Sequence, residues 1–253
     1  SRIMSNTSGN AGGGISANIA HICNSEISGN EAKGVGELFG GGIYGGDYLV
    51  IQDSVVSNNR AVGTAPGNGG GISAGSDATI VNTVISGNYA EGIAGVEMYH
   101  TVFTMTNSLI ISNTGYGFAG GLITGTIVNV AVADNTGGGV DVGGAVSITN
   151  SVMWDNGKND YVCRGGCTLA YSDVGIGDST GTGNISAGPK FVDAAKGDYH
   201  LGVGSPCIDK GTPVGAPTHD IEGTLRDAAP DMGAYEWTGF RIFLPLTLKK
   251  FGP

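Results

Sequence analysis

The sequence is short of charge, of proline and of aromatic rings. Only 13% of its 253 residues are charged and 7% are aromatic. Positive charge is scarcest: residues 61–157 contain no Lys or Arg at all. Over residues 1–157, three basic side chains (Arg2, Lys33, Arg60) stand against eleven acids. That leaves no basic stripe for nucleic acid or anionic lipid. Eight prolines beside 48 glycines exclude collagen, which needs proline and a strict glycine period. The chain has no apolar run long enough for a transmembrane helix. Disorder is excluded because 40% of residues are hydrophobic. What remains is a glycine-rich, β-branched chain, which predicts many short strands joined by tight turns.

Cysteine is also sparse, at four residues. Cys163 and Cys167 lie in CRGGC, where two glycines let the chain turn back. A local disulfide is expected there if the protein is exported. Zinc would want further Cys or His in that loop, and none is there. Cys23 and Cys207 read as buried or free thiols. The chain starts at Ser1 without Met, partway through a repeat, and reads as a processed or truncated product without a signal peptide.

A nine-residue unit recurs through residues 1–157. ICNSEISGN, IQDSVVSNN, IVNTVISGN, MTNSLIISN, IVNVAVADN and ITNSVMWDN end at Asn30, Asn59, Asn88, Asn113, Asn135 and Asn156. A partial earlier copy is placed at SGN, ending at Asn10 with Thr7 in the inward position. The first apolar column is Ile22, Ile51, Ile80, Met105, Ile127 and Ile148. The second is Ile27, Val56, Ile85, Ile110, Val132 and Met153. Residues five apart on a straight strand face opposite ways. Both columns are apolar, so the chain must bend between them, at Asn24–Ser25, Asp53–Ser54, Asn82–Thr83, Asn107–Ser108 and Asn150–Ser151. A further corner at GN leads to a third inward residue: Ile15, Ile43, Ile72, Leu122 and Val140. Three short strands per turn predict an all-β, right-handed parallel β-helix of about seven coils. The stacked Asn residues are expected to bond amide to amide as a ladder.

The GGGI and ISGN alternation resembles the right-handed parallel β-helix proteins of bacterial surfaces, including the chlamydial polymorphic outer membrane proteins. Two later runs, GPKFVDAAKGDYHLGVGSPCIDKG (Gly188–Gly211) and DIEGTLRDAAPDMGAYEW (Asp220–Trp237), resemble the end of secreted β-helix proteins with a choice-of-anchor Q terminus. Cys207 stands where alanine is usual in that group. FLPLTLK near the C-terminus is similar to the end of such proteins in filamentous green bacteria. The resemblance implies export and an extracellular, cell-surface role; most members have no defined activity.

The organisation expected is therefore repeats over residues 1–157, a cap over 158–237 and a strand-like tail over 238–253. The cap is expected to cover the exposed end of the stack. Arg226 has Asp220, Asp231 and Glu236 near it, and an Arg fork among carboxylates would lock the segment. The alternative for Asp220, Asp231 and Glu236 is a calcium site. In the tail, Ile242, Leu244, Leu246 and Leu248 share one face, which packs on the rod or docks on another subunit. Head-to-tail docking that does not close would give a filament.

Catalysis has little to stand on. Glycoside hydrolysis needs two carboxylates roughly 5 to 10 Å apart. The candidate acids in the repeats are Asp53, Asp77, Asp134, Asp141 and Asp155; Asp134 and Asp155 share one position in adjacent coils. The hydrolase signatures Asn-Thr-Asp, Asp-Asp and Gly-His-Gly are absent, and His21, His100, His200 and His219 do not cluster in sequence. The expectation is a non-enzymatic structural or adhesive surface protein without a cofactor, with self-association or a cell-surface glycan as its partner. The alternative is a carbohydrate-active enzyme or glycan-binding β-helix.

Overall fold

The computed structural model describes residues 1–65, 67–99 and 102–239. The chain is a parallel β-helix, as the repeat predicts. One face is an eight-stranded parallel sheet in chain order: Arg2–Met4, Glu26–Ser28, Val55–Ser57, Val84–Ser86, Leu109–Ile111, Ala131–Ala133, Val152–Trp154 and Asp173–Val174. Its inward column runs Ile3, Ile27, Val56, Ile85, Ile110, Val132, Met153, Val174. A 13-stranded sheet forms the rest of the wall. Within it Ile22, Ile51, Ile80, Met105, Ile127, Ile148 and Leu169 are stacked in register. From Ile27 on, the members of both columns are buried and line one continuous apolar core.

Each corner places one residue in the left-handed region. At the first corner these are Asn24, Asp53, Asn82, Asn107, Asn129 and Asn150, with φ between 45° and 54°. Asn and Asp tolerate that conformation better than other side chains because they bond locally. The hydroxyl that follows donates to the carbonyl two residues back, as in Ser54 to Gln52 (2.7 Å) and Thr83 to Val81 (2.8 Å).

The second corner delivers the asparagines. Asn30, Asn59, Asn88, Asn113, Asn135 and Asn156 are all buried. Each of the first five donates both its backbone N–H and its side-chain Nδ2–H to Oδ1 of the Asn one coil on, at 2.9 to 3.1 Å. Nδ2 also donates to the carbonyl of the inward aliphatic one coil back, such as Asn88 to Val56 (3.0 Å). The last donor, Asn156, reaches Oδ1 of Asp160, at 2.8 Å from N and 2.7 Å from Nδ2. A carboxylate only accepts, so Asp160 is a fitting terminus for a chain of donors. The glycine before the third inward column is required by the ladder. A Cβ on Gly42 or Gly71 would lie 2.8 or 2.9 Å from the amide of Asn59 or Asn88.

Three placements differ from the sequence reading. The first ladder member is Asn6, bonded to Asn30 Oδ1 at 2.9 Å, and Ile3 is the inward residue of that copy; Asn10 and Thr7 are not. The repeat's apolar-x-x-Asn spacing is met by Ile3–Asn6, whereas SGN has Thr7 in the apolar place. In the third column, Val96 and Phe118 stand between Ile72 and Val140. Leu122 is exposed at φ 55°, because an irregularity in Thr114–Val128 after Gly120 turns it outward.

The third difference is the C-terminal block. Stacking continues past Asn156 through Tyr161–Cys163, Thr168–Ala170 and Asp173–Val174. Residues 176–185 then lie across that last coil, with Val174 N–H donating to Ile185 O and Tyr171 N–H to Thr182 O. The block beyond residue 188 packs instead on the flank. Tyr199, Leu201, Cys207, Met232 and Ala234 cover the outward faces of Leu109, Ile111, Ala131, Ala133 and Val152. Those strands read LII, AVA and VMW, apolar on both faces, as a strand covered on both sides must be. The tail residues Ile242, Leu244, Leu246 and Leu248 lie outside the described residues, as does His100.

Candidate functional site

The corner asparagines hold the flank block. Asn107 Nδ2 donates to His219 O (2.6 Å), Asn129 Nδ2 to Asp231 O (2.9 Å) and Asn150 Nδ2 to Thr212 O (2.8 Å). Arg226 is buried and reaches back to Asn107 Oδ1 at 3.1 Å. Its ion pair is with Glu236 at 3.0 Å. Asp220 and Asp231 do not pair with it. Asp220 accepts N–H groups from Glu222, Thr224 and Glu236, and Asp231 from Asp209 and Trp237. Glu236 also accepts from Asp227 and Asp231 N–H. The oxygens of this cluster accept N–H groups from its own backbone and from the buried Arg226 guanidinium, which locks the segment.

The expected pair Asp134 and Asp155 is divided between different tasks. Asp134 accepts from Tyr199 OH at 2.6 Å and so fastens the flank block, while Asp155 is an exposed corner residue at φ 55°. Asp53 accepts from Asn82 Nδ2 at 2.9 Å at another corner, and Asp77 is exposed. His21 packs near the Tyr48 ring, and His219 Nδ1 meets Thr218 Oγ1 at 3.0 Å. His200 lies between Asp198 (2.7 Å) and Glu222 (3.2 Å) and stacks on Tyr235. None of these makes a catalytic arrangement with another His.

Asp141 belongs to a different place. The outward residues beside the third column stack in register as Tyr44, Ser73, Glu97, Ala119, Asp141 and Val162. Two clefts meet along this row, sharing Glu97 and Tyr99. One, of about 440 Å³, is lined by Glu37, Phe39, Tyr44, Asn68, Ser73 and Gly75. The other, of about 240 Å³, runs over Ala119, Gly120 and Gly121 to Asp141 and Arg164. The wall of the first comes from the filler that makes the coils ending at Asn59 and Asn88 the longest. Phe39 and Asn68 bridge there, and Asn68 Nδ2 donates to Glu37 Oε1 at 3.0 Å. Asn68 Oδ1 accepts from Ile93 N–H at 3.2 Å, which ties the wall to the next coil.

Glu97 is 6% exposed, and its Oε2 accepts from Ser73 Oγ at 2.8 Å. Its Oε1 receives no hydrogen bond among the described residues. Burial raises its pKa to about 7; the Ser73 bond opposes this and the charge of Glu37 adds to it. Asp141, also buried, is held by a two-pronged bond from Arg164, Nε to Oδ1 and Nη2 to Oδ2, both 2.6 Å. Arg164 sits in CRGGC, and Cys163 and Cys167 are joined by a disulfide that closes this loop. Of the other cysteines, Cys23 is exposed and Cys207 is buried with its thiol 3.2 Å from Asp173 Oδ2.

The raised Glu97 pKa makes stability depend on pH. Between about 4.5 and 7 the folded chain binds a proton that the unfolded chain releases, so this residue's contribution falls as pH rises across that window. Glu97→Gln, which imitates the protonated form, should flatten that fall. At pH 8 it should exceed the native chain by on the order of 2–3 kcal/mol in urea melts. Parallel curves at pH 5 and pH 8 would contradict the assignment.

No protein family, curated protein or solved structure matches this chain. Among the described residues, no helix is long and apolar enough to cross a membrane.

Proposed function

We propose that the protein is an extracellular, adhesive surface element that binds a saccharide in the cleft on the flank of its rod. One observation carries the reading: the rings of Phe39, Tyr44 and Tyr99 share a cleft with the fixed hydrogen-bonding groups of Asn68, Ser73 and Glu97. Sugars offer apolar C–H faces for rings and hydroxyls for carboxylates and amides, and a concave site with a few placed polar groups suits them. The disulfide suits an oxidising compartment outside the cytosol. The resemblance of the repeats and of Gly188–Trp237 to bacterial surface proteins agrees with that location.

The filament form of this reading gains no support from the ladder. Its last acceptor, Asp160, is already bonded within the chain, and residues 176–185 cover that coil.

A glycan array, followed by calorimetric titration of the best binders, tests the proposal. Tyr44→Ala should weaken binding about fivefold to tenfold, since a stacked ring contributes on the order of 1 kcal/mol. Retention of no glycan, or equal binding by the variant, would sink it.

A further inference from the structure

Glu97 and Asp141 occupy the same outward row two coils apart, with Ala119 between them. Strand spacing puts their backbones about 9.5 Å apart. The intervening methyl fills little of that interval, and both residues line the cleft that runs over Ala119, Gly120 and Gly121. The two carboxyl groups have opposite surroundings. Glu97 is desolvated, bonded among the described residues by the neutral Ser73 hydroxyl, and close to Glu37. Asp141 is clamped through both of its oxygens by the Arg164 guanidinium. Inverting glycoside hydrolysis uses two carboxyls in unlike surroundings, roughly 6.5 to 9.5 Å apart, one as acid and one as base.

We infer that the cleft hydrolyses a glycosidic bond with inversion, Glu97 acting as the acid and Asp141 as the base. This rests on the saccharide-binding reading of the same cleft. Glu97 gives its proton to the glycosidic oxygen as the bond from that oxygen to the anomeric carbon breaks, and the bonding pair leaves with the oxygen. Asp141 takes a proton from a water whose oxygen bonds to the anomeric carbon from the opposite face. One water is consumed and two saccharides leave. Glu97 ends ionised and Asp141 protonated, and exchange of one proton with solvent restores both. Arg164 is a positioning residue: each Asp141 oxygen keeps a second lone pair free to accept from water. Among the described residues, the titratable groups that line the clefts with Glu97 are Glu37, Tyr44, Tyr99, Asp141 and Arg164.

The test uses the full chain with the saccharides that it binds on the array. Reducing-end release and proton NMR of the fresh product should show hydrolysis with the opposite anomer appearing first. Glu97→Gln and Asp141→Asn should each lower the rate at least 100-fold while binding stays within about threefold. Arg164→Lys, which gives up one prong of the clamp, should lower kcat at least tenfold with KM and the melting temperature kept, a split that a merely structural role would not produce. Ala119→Leu, which fills the gap and leaves both carboxyls in place, should abolish turnover with the melting temperature kept. Asp155→Asn should be as active as the native chain. Binding without any reducing-end release overturns this inference and leaves the binding proposal standing. A retained anomer overturns the inverting pair. Failure to bind any saccharide overturns both.

Discussion

Replacing Asn88 by Ala should destabilise the protein by about 3–6 kcal/mol. The substitution strands three buried groups at once: the Asn59 backbone N–H, one Asn59 Nδ2–H and the Val56 carbonyl. Each unsatisfied buried group costs about 1–3 kcal/mol. The cavity left behind adds to that, because Gly71 packs directly against the missing amide. Asn88→Asp should be worse at neutral pH than at pH 4. Its second oxygen would face the Val56 carbonyl and Asn113 Oδ1, both acceptors, and protonation supplies the missing donor. Chemical denaturation of both variants measures this. Asn88→Ala within about 1 kcal/mol of the native chain would show that the ladder is incidental to the stack.

Arg226→Ala should cost about 3–5 kcal/mol and loosen the flank block before the coils. A buried ion pair broken on one side leaves an uncompensated charge, here Glu236. The guanidinium also bonds Asn107 Oδ1 and the carbonyls of Gly233 and Ala234, so it joins the block to a corner of the rod. Arg226→Lys should not rescue the loss, because one ammonium cannot span Asn107 and Glu236 as two Nη groups do. Limited proteolysis should cut first within residues 188–237, with the coil fragments still folded by circular dichroism. Cleavage spread evenly over the chain, or an unchanged melting curve, would refute flank docking.

The coil was legible because its constraints repeat. An aliphatic column, a left-handed Asn or Asp and a ladder Asn recur at fixed spacing, so each copy confirms the others. The register of the first copy was misread because SGN fits the repeat's ending, whereas the amide bond from Asn6 to Asn30 identifies the true member. Leu122 was misplaced because no repeat signal marks the irregularity in Thr114–Val128. Flank docking did leave a trace: Leu109, Ile111, Ala131, Ala133 and Val152 are apolar where Glu26, Ser28, Ser57 and Ser86 are polar. The cleft left almost none. Glu37, Phe39 and Asn68 come from filler of variable length, and Glu97 occupies an outward position filled in other coils by Tyr44, Ser73 and Ala119. Only stacking reveals that Glu97 and Asp141 share a row.

The account turns on Glu97 holding a proton in that cleft near neutral pH. Carbon-13 NMR titration of the chain labelled at glutamate carboxyls, with Glu97 assigned by Glu97→Gln, measures this directly. A midpoint of about 7, displaced when a bound saccharide is added, is the predicted result. A midpoint near 4.5 that ignores saccharide would contradict it.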